Sequence, residues 1–182
     1  MSATIIEYGL NNAEEIGRRL KNGEIGILPT DTIYGISARI GAEESNRIYQ
    51  MKNRPESKHL IVLMTKKQLE NSSLQVPSDL KDRWPAPFTA ILRDEDGSTV
   101  AVRVPDNEFL LSLMEYSGPI YSTSANLSGN PAINDFETLL SVFGESADFI
   151  VRESGVEGTS STLIDATKKP YTVIRQGSYA FD

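Results

Sequence analysis

Leu60-Ile61-Val62-Leu63-Met64 is an unbroken run of five apolar residues. A run apolar on both faces and too short for a helix reads as a central strand, covered by helices above and below. Upstream, residues 43–53 read as a helix with Ile48 and Met51 inward. A short apolar strand at 25–28 ends at Pro29. Residues 11–22 read as the first helix, with Asn12 and Glu15 as a capping pair, Ile16 and Leu20 on one face, and Gly23 as the stop. Downstream, strands at 88–92 and 100–104 flank the turn Asp94-Glu95-Asp96-Gly97. A helix over 107–116, a strand over 119–123 and a helix over 135–143 follow. Strands at 149–151, 161–164 and 171–174 complete the series. Alternating strands and helices predict an α/β fold. The crowding of strands near the C-terminal end predicts a mixed sheet with flanking helices.

The 182 residues favour one domain, taken as residues 1–182, large enough to bury roughly 70% of the unfolded chain's surface. No repeat, linker or low-complexity tract interrupts it. Cysteine is absent, which removes disulfides, thiolate metal sites and cysteine nucleophiles, and suits a reducing compartment. No stretch nears the roughly 18 apolar residues of a membrane span, and the first residues lack a secretion signal's pattern. The expectation is a cytoplasmic protein. A formal net charge of −7 argues against coating duplex nucleic acid, while a local basic groove stays possible. The single histidine, His59, rules out multi-histidine metal sites, and no Gly-x-Ser-x-Gly elbow accompanies it.

Five polar segments follow strand or helix ends, where α/β proteins place their sites. In Pro29-Thr30-Asp31-Thr32-Ile33-Tyr34-Gly35, a capped turn is the plainer reading when the segment is taken alone. Lys52-Asn53-Arg54-Pro55-Glu56-Ser57-Lys58-His59 puts three cations past a helix end. Dipole compensation explains Lys52, whereas Arg54 and Lys58 at a proline-stopped corner suit phosphate oxygens equally well. Arg103 interrupts the strand of Val100, Val102 and Val104. It either faces water on an edge strand or clamps a carboxylate inside a cleft. Tyr121-Ser122-Thr123-Ser124-Ala125-Asn126-Leu127-Ser128-Gly129 reads as a capped loop or a hydroxyl-rich pocket. Gly158-Thr159-Ser160-Ser161-Thr162, with Arg175 on the last strand, reads as a flexible loop or a lid. No Walker A and no Gly-x-Gly-x-x-Gly pattern is present, so any nucleotide needs another cradle.

Together these segments resemble the YrdC/TsaC family of threonylcarbamoyl-AMP synthases. The resemblance runs from Glu24 to Gln176. It rests on Pro-Thr-Asp-Thr-Ile-Tyr-Gly at 29–35, Lys-Asn-Arg-Pro at 52–55, Trp-Pro-Ala-Pro-Phe-Thr at 84–89 and Val-Arg-Val-Pro at 102–105. Ser-Ala-Asn-Leu-Ser-Gly at 124–129, Ser-Thr-Leu-Ile-Asp at 161–165 and Ile-Arg-Gln-Gly at 174–177 close it. The family's Lys-x-Arg and Ser-x-Asn pairs stand here as Lys52, Arg54, Ser124 and Asn126; a YciO-like sister branch shares the fold without that quartet. Ala86 replaces a glycine of the family pattern. Leu63 stands where many members carry a histidine that helps hold threonine.

The resemblance implies a YrdC-like fold, a twisted, open mixed sheet with flanking helices and a large concave groove. It implies synthesis of threonylcarbamoyl-AMP and pyrophosphate from L-threonine, bicarbonate and ATP, with Mg2+ on the nucleotide and no protein-held metal. The implied catalytic residues are Lys52, Arg54, Ser124 and Asn126. ATP would meet Arg54, Lys58, Thr99, Asn126, Asn134 and Arg175; threonine would meet Thr32, Tyr34, Arg103, Ser124 and Ser161. A downstream threonylcarbamoyl transferase complex would pass the product to tRNA. Two other readings stand beside this one. One is an RNA-binding module of the same fold without ATP chemistry. The other is a carbamoyl-transfer module like that inside hydrogenase maturation proteins, whose acylphosphatase and zinc-finger parts are missing here.

Overall fold

The computed structural model describes residues 1–56 and 59–181. Eleven strands join in one mixed sheet among the described residues. In chain order they are β1 (Thr4–Glu7), β2 (Gly26–Leu28), β3 (Gly35–Arg39), β4 (Ile61–Leu63), β5 (Leu74–Gln75), β6 (Phe88–Asp94), β7 (Thr99–Arg103), β8 (Ile120–Ser124), β9 (Phe149–Arg152), β10 (Thr162–Asp165) and β11 (Thr172–Arg175). The spatial order is β1-β9-β2-β3-β8-β4-β7-β6-β10-β11, with β5 beside β6. Parallel pairs (β1–β9, β2–β9, β4–β7, β6–β10) share the sheet with antiparallel ones, so the expected mixed α/β sheet is what forms. β4, the opening apolar run, sits between β8 and β7 at the centre of the order.

Among the described residues six α-helices flank the sheet: α1 (Ala13–Lys21), α2 (Ala42–Lys52), α3 (Lys66–Glu70), α4 (Ser78–Arg83), α5 (Glu108–Ser117) and α6 (Phe136–Phe143). Ile16 and Leu20 of α1 are fully buried and share a core with Phe109, Leu110, Leu113 and Met114 of α5. A Cβ on Gly17 would stand 2.4 Å from the Leu113 carbonyl, so glycine there sets how closely the two helices cross. Asn12 does not cap α1. Its amide donates to the Glu7 carbonyl at 2.7 Å, and Glu15 pairs with Arg19 one turn on. The i,i+4 ion pair and the β1 backbone outcompete the capping box. A full capping box forms instead at Thr65 and Gln68, ahead of α3.

β3 has no counterpart among the sequence-based strands. Gly-Ile-Ser-Ala-Arg shows no apolar run, yet Gly35 to Ala38 are buried between β2 and β8. β1, β5, α3 and α4 are likewise too short to announce themselves by periodicity. The last residues return to the sheet. Tyr179 and Phe181 pack on Phe88, whose ring also stacks on Trp84.

Candidate active site

The cradle begins where α2 ends. Asn53 adopts the left-handed conformation (φ 51°) that closes a helix, and Pro55 prevents its continuation. That turn sends Lys52 inward and Arg54 toward the sheet. Lys52 is 2% exposed. Its ammonium donates to Asn126 Oδ1 at 2.5 Å, to Ser124 Oγ at 3.3 Å and to the Ser124 carbonyl. Ser124 Oγ donates to Asn126 Oδ1 at 2.8 Å, and the Lys52 carbonyl accepts the Ser128 N–H at 2.8 Å. Arg54 donates to Thr123 Oγ1 at 3.1 Å and to the His59 carbonyl at 3.0 Å. Residues some seventy positions apart are thereby locked together, because β8 delivers 122–124 beside the end of α2. Burial first, then the Arg54 charge, push Lys52 down to about 7. Burial also lowers Arg54 and Arg175. The site holds positive charge that an anion would relieve.

Next to this knot lies a cavity of about 410 Å³. Its floor is tight: a Cβ on Gly35 would stand 2.5 Å from Ser122 Oγ. Thr99, Ala101 and Arg103 line it at alternate positions of β7, the period of a strand face. Arg103 is 4% exposed, paired with Asp31 at 3.0 Å. Arg103 therefore does not face water, and β7, between β4 and β6, is no edge strand. Arg175 grips the Ser161 carbonyl through Nε (3.2 Å) and Nη2 (2.9 Å), while Ser161 Oγ bonds Thr89 Oγ1 at 2.8 Å. Thr32 is buried, and its hydroxyl lies 3.2 Å from that of Thr30.

Of the residues singled out from sequence, Thr32, Tyr34, Arg54, Thr99, Arg103, Ser124, Ser161 and Arg175 line the cavity. Lys52 and Asn126 stand behind Ser124 and hold it. Asn134 lies off the cavity wall, with a buried Oδ1 that lacks a hydrogen-bond partner. Lys58 lies outside the described residues. Tyr34 turns its hydroxyl away: it sits 3.1 Å from the Val151 and Glu153 carbonyls and accepts the Glu153 N–H at 2.9 Å. Its phenol ties down the start of the 153–160 loop. That loop then presses on the motif, since a Cβ on Gly158 would stand 1.6 Å from the Thr32 carbonyl. Leu63 is fully buried and does not line the cavity; His59 does.

Sequence reading passed over Thr89, Thr123, His59 and the apolar wall of Ile91, Ala101, Leu163 and Ile174. Strand alternation from Arg103 could have found Ala101. Thr89 closes the 84–89 motif, but nothing local says what it bonds, since its partner is seventy-two residues away.

A mixed sheet carrying buried cations, hydroxyls and a roofed hollow defines an α/β protein built to enclose a small anionic ligand. The profile of the Sua5/YciO/YrdC family, described as telomere recombination, matches residues 18–177, and the chain belongs to that family. A threonylcarbamoyl-AMP synthase of Pyrococcus abyssi is 31% identical over 175 residues, covering 87% of this chain and 52% of the relative. One from an Enterobacter species is 29% identical over 177 residues, covering 87% and 93%. The chain thus spans about half the archaeal relative and nearly all of the bacterial one. Among solved structures, P. abyssi Sua5 complexed with L-threonine superposes with a TM-score of 0.86 at 28% identity, over 97% of this chain and 58% of that one. Escherichia coli YciO gives 0.83 at 22% identity over 98% and 97%, a likeness of fold alone.

Proposed function

We propose that the chain is an L-threonylcarbamoyladenylate synthase. L-threonine, bicarbonate and ATP would give threonylcarbamoyl-AMP, pyrophosphate and water. The observation that carries this reading is the convergence of Lys52, Arg54, Ser124 and Asn126 on one wall of a cavity whose other wall holds Arg103. The superpositions on Sua5 and YciO are nearly equal, so the fold does not separate the two branches. The quartet does, because the resemblance assigns it to the synthases alone.

Threonine's amine and bicarbonate condense to a carbamate with loss of water. A carbamate oxygen then attacks the α-phosphorus, and the bond to pyrophosphate breaks. No protein nucleophile takes part; the protein positions the reactants and offsets charge. Arg54, Lys58 and Arg175 oppose the phosphates, with Thr99, Asn126 and Asn134 alongside and Ser124 between the two substrates. Lys52 keeps Ser124 and Asn126 in place from behind. Arg103 takes the threonine carboxylate, and Thr32 and Ser161 its polar groups. The 153–160 loop roofs the site and keeps water from the anhydride product. Among the described residues no cluster of three or more acidic or histidine side chains fits a resident metal. Mg2+ enters this proposal with the ATP substrate, as the ion that commonly accompanies its phosphates.

The unit performing this is the domain of residues 1–182, working in the cytoplasm and supplying a tRNA-modifying threonylcarbamoyl transferase complex. No helix among the described residues is long and apolar enough to cross a membrane. The cations lie inside a cavity rather than along an exposed track, so no observation favours the RNA-binding alternative. The test is pyrophosphate release with ATP, bicarbonate and single amino acids: release should require threonine. Arg54→Ala should abolish it with the circular dichroism spectrum unchanged, and undiminished turnover in that variant rejects the reading.

A further inference from the structure

Asp31 is the charged residue of the 29–35 motif to which the proposed reaction assigns nothing. Its side chain is 7% exposed and its Oδ1 accepts from Arg103 Nη2 at 3.0 Å; the Arg103 side chain is 5% exposed. The contact is single-point. Asp31 Oδ2 and Arg103 Nε are both buried and have no hydrogen-bond partner. Guanidinium–carboxylate pairs frequently close through two parallel bonds. Here one corner of the fork is fixed while a neighbouring N–H is left unclaimed, and Arg103, not Asp31, lines the cavity. Burial opposes the charged form of Arg103 most, Asp31 favours it, and the charge of a second guanidinium, Arg175, opposes it to a lesser extent. Two cations and one carboxylate leave a single net positive charge at this end of the cavity.

We propose that Asp31 is a positioning residue that aims Arg103 at the carboxylate of a small amino acid and, by cancelling one of two positive charges, keeps inorganic anions from occupying that place. Asp31 acts through Arg103 and touches no substrate. Arg103 lines the cavity, and the guanidinium N–H groups that Asp31 does not engage are the donors left for the incoming carboxylate, which brings the local charge to zero. Without Asp31, two guanidinium groups would face an empty hollow, and any small dianion would suit it as well as the amino acid does.

This inference rests on the reading that the cavity takes threonine, so the experiment separates the two. Threonine and ATP binding are measured by calorimetry on the full chain, with and without sulfate, for the wild type, Asp31→Asn and Asp31→Glu. Asp31→Asn keeps the size and one acceptor but loses the charge. It should bind threonine about tenfold more weakly with ATP affinity unchanged, the loss of one charge-assisted contact, and sulfate should compete with threonine in this variant alone. Asp31→Glu keeps the charge and shifts it by a methylene; it should lose threonine affinity yet stay indifferent to sulfate. If Asp31→Asn binds threonine as the wild type does and ignores sulfate, the proposal is overturned, even where its melting temperature falls, since that leaves a purely structural pair. Should Asp31→Asn not fold, unchanged threonine affinity in Asp31→Glu overturns it instead. A wild type that binds no threonine at all overturns the functional reading itself.

Discussion

Lys52 shows how a residue's chemistry depends on what surrounds it. In the sequence it is one cation of three after a helix. In the fold it is 2% exposed, donates to Ser124 and Asn126, and titrates near about 7 against an ordinary 10.5. A polyanion bound nearby favours the charged ammonium and raises that value again. Binding of ATP should therefore take up protons above pH 7 and none well below it, where Lys52 is already charged. Calorimetry in two buffers of different ionisation heat reads this directly, and Lys52→Met should remove the buffer dependence. Ser161 makes the parallel case on the other wall. It links Thr89 to Arg175, and Ser161→Ala should raise the threonine KM about tenfold, as loss of one charge-assisted hydrogen bond implies. A KM within twofold of the wild type would remove Ser161 from the threonine subsite.

Among the elements, α3 is held at its start by Thr65 and Gln68, in a capping box remote from the cavity. Thr65→Ala should cost about 1 kcal/mol, lowering the melting temperature by roughly 2–4 °C in a chain this size with turnover unchanged. The loop at 153–160 gives the opposite pattern. A Cβ at Gly158 collides with the Thr32 carbonyl, so Gly158→Ala should raise the threonine KM while barely moving the melting temperature. Equal kinetics for the two proteins would show that this contact does not shape the site. The longer elements were legible because their apolar periods were long enough to read. α1, α2, α5 and α6 lie where Ile16 and Leu20, Ile48, and the patterned stretches at 107–116 and 135–143 place them. β3 was illegible, because Gly35-Ile36-Ser37-Ala38 becomes a buried strand only through β2 and β8 on either side. The Asn12–Glu15 pair had the right letters, but Glu7 and Arg19 were nearer partners.

Across the whole molecule, the cavity is a junction. β3 and β8 supply one wall and β6, β7 and β10 the other, so a bound ligand ties together two halves of the sheet. Anything that binds only the folded form stabilises it, by about 2.7 kcal/mol at a hundredfold excess over Kd. ATP should accordingly raise the melting temperature, and Arg54→Ala should abolish the rise while leaving the unliganded value near that of the wild type. A full ATP shift in that variant would put the nucleotide elsewhere on the molecule.

The residue types of the site, the α/β alternation, the mixed sheet and the motif series were determined by the sequence, because local periods and short motifs are properties of neighbours along the chain. Three matters belonged to the tertiary structure: that Arg103 is buried against Asp31, that the Tyr34 hydroxyl bonds the start of the 153–160 loop, and that Lys52 braces the cradle from behind. Each depends on which face of a strand a side chain takes and on what the register of a distant strand sets opposite it. Pairings such as Gly35 with Ser124 in β3 and β8 cross some ninety residues, a distance over which no local pattern carries information.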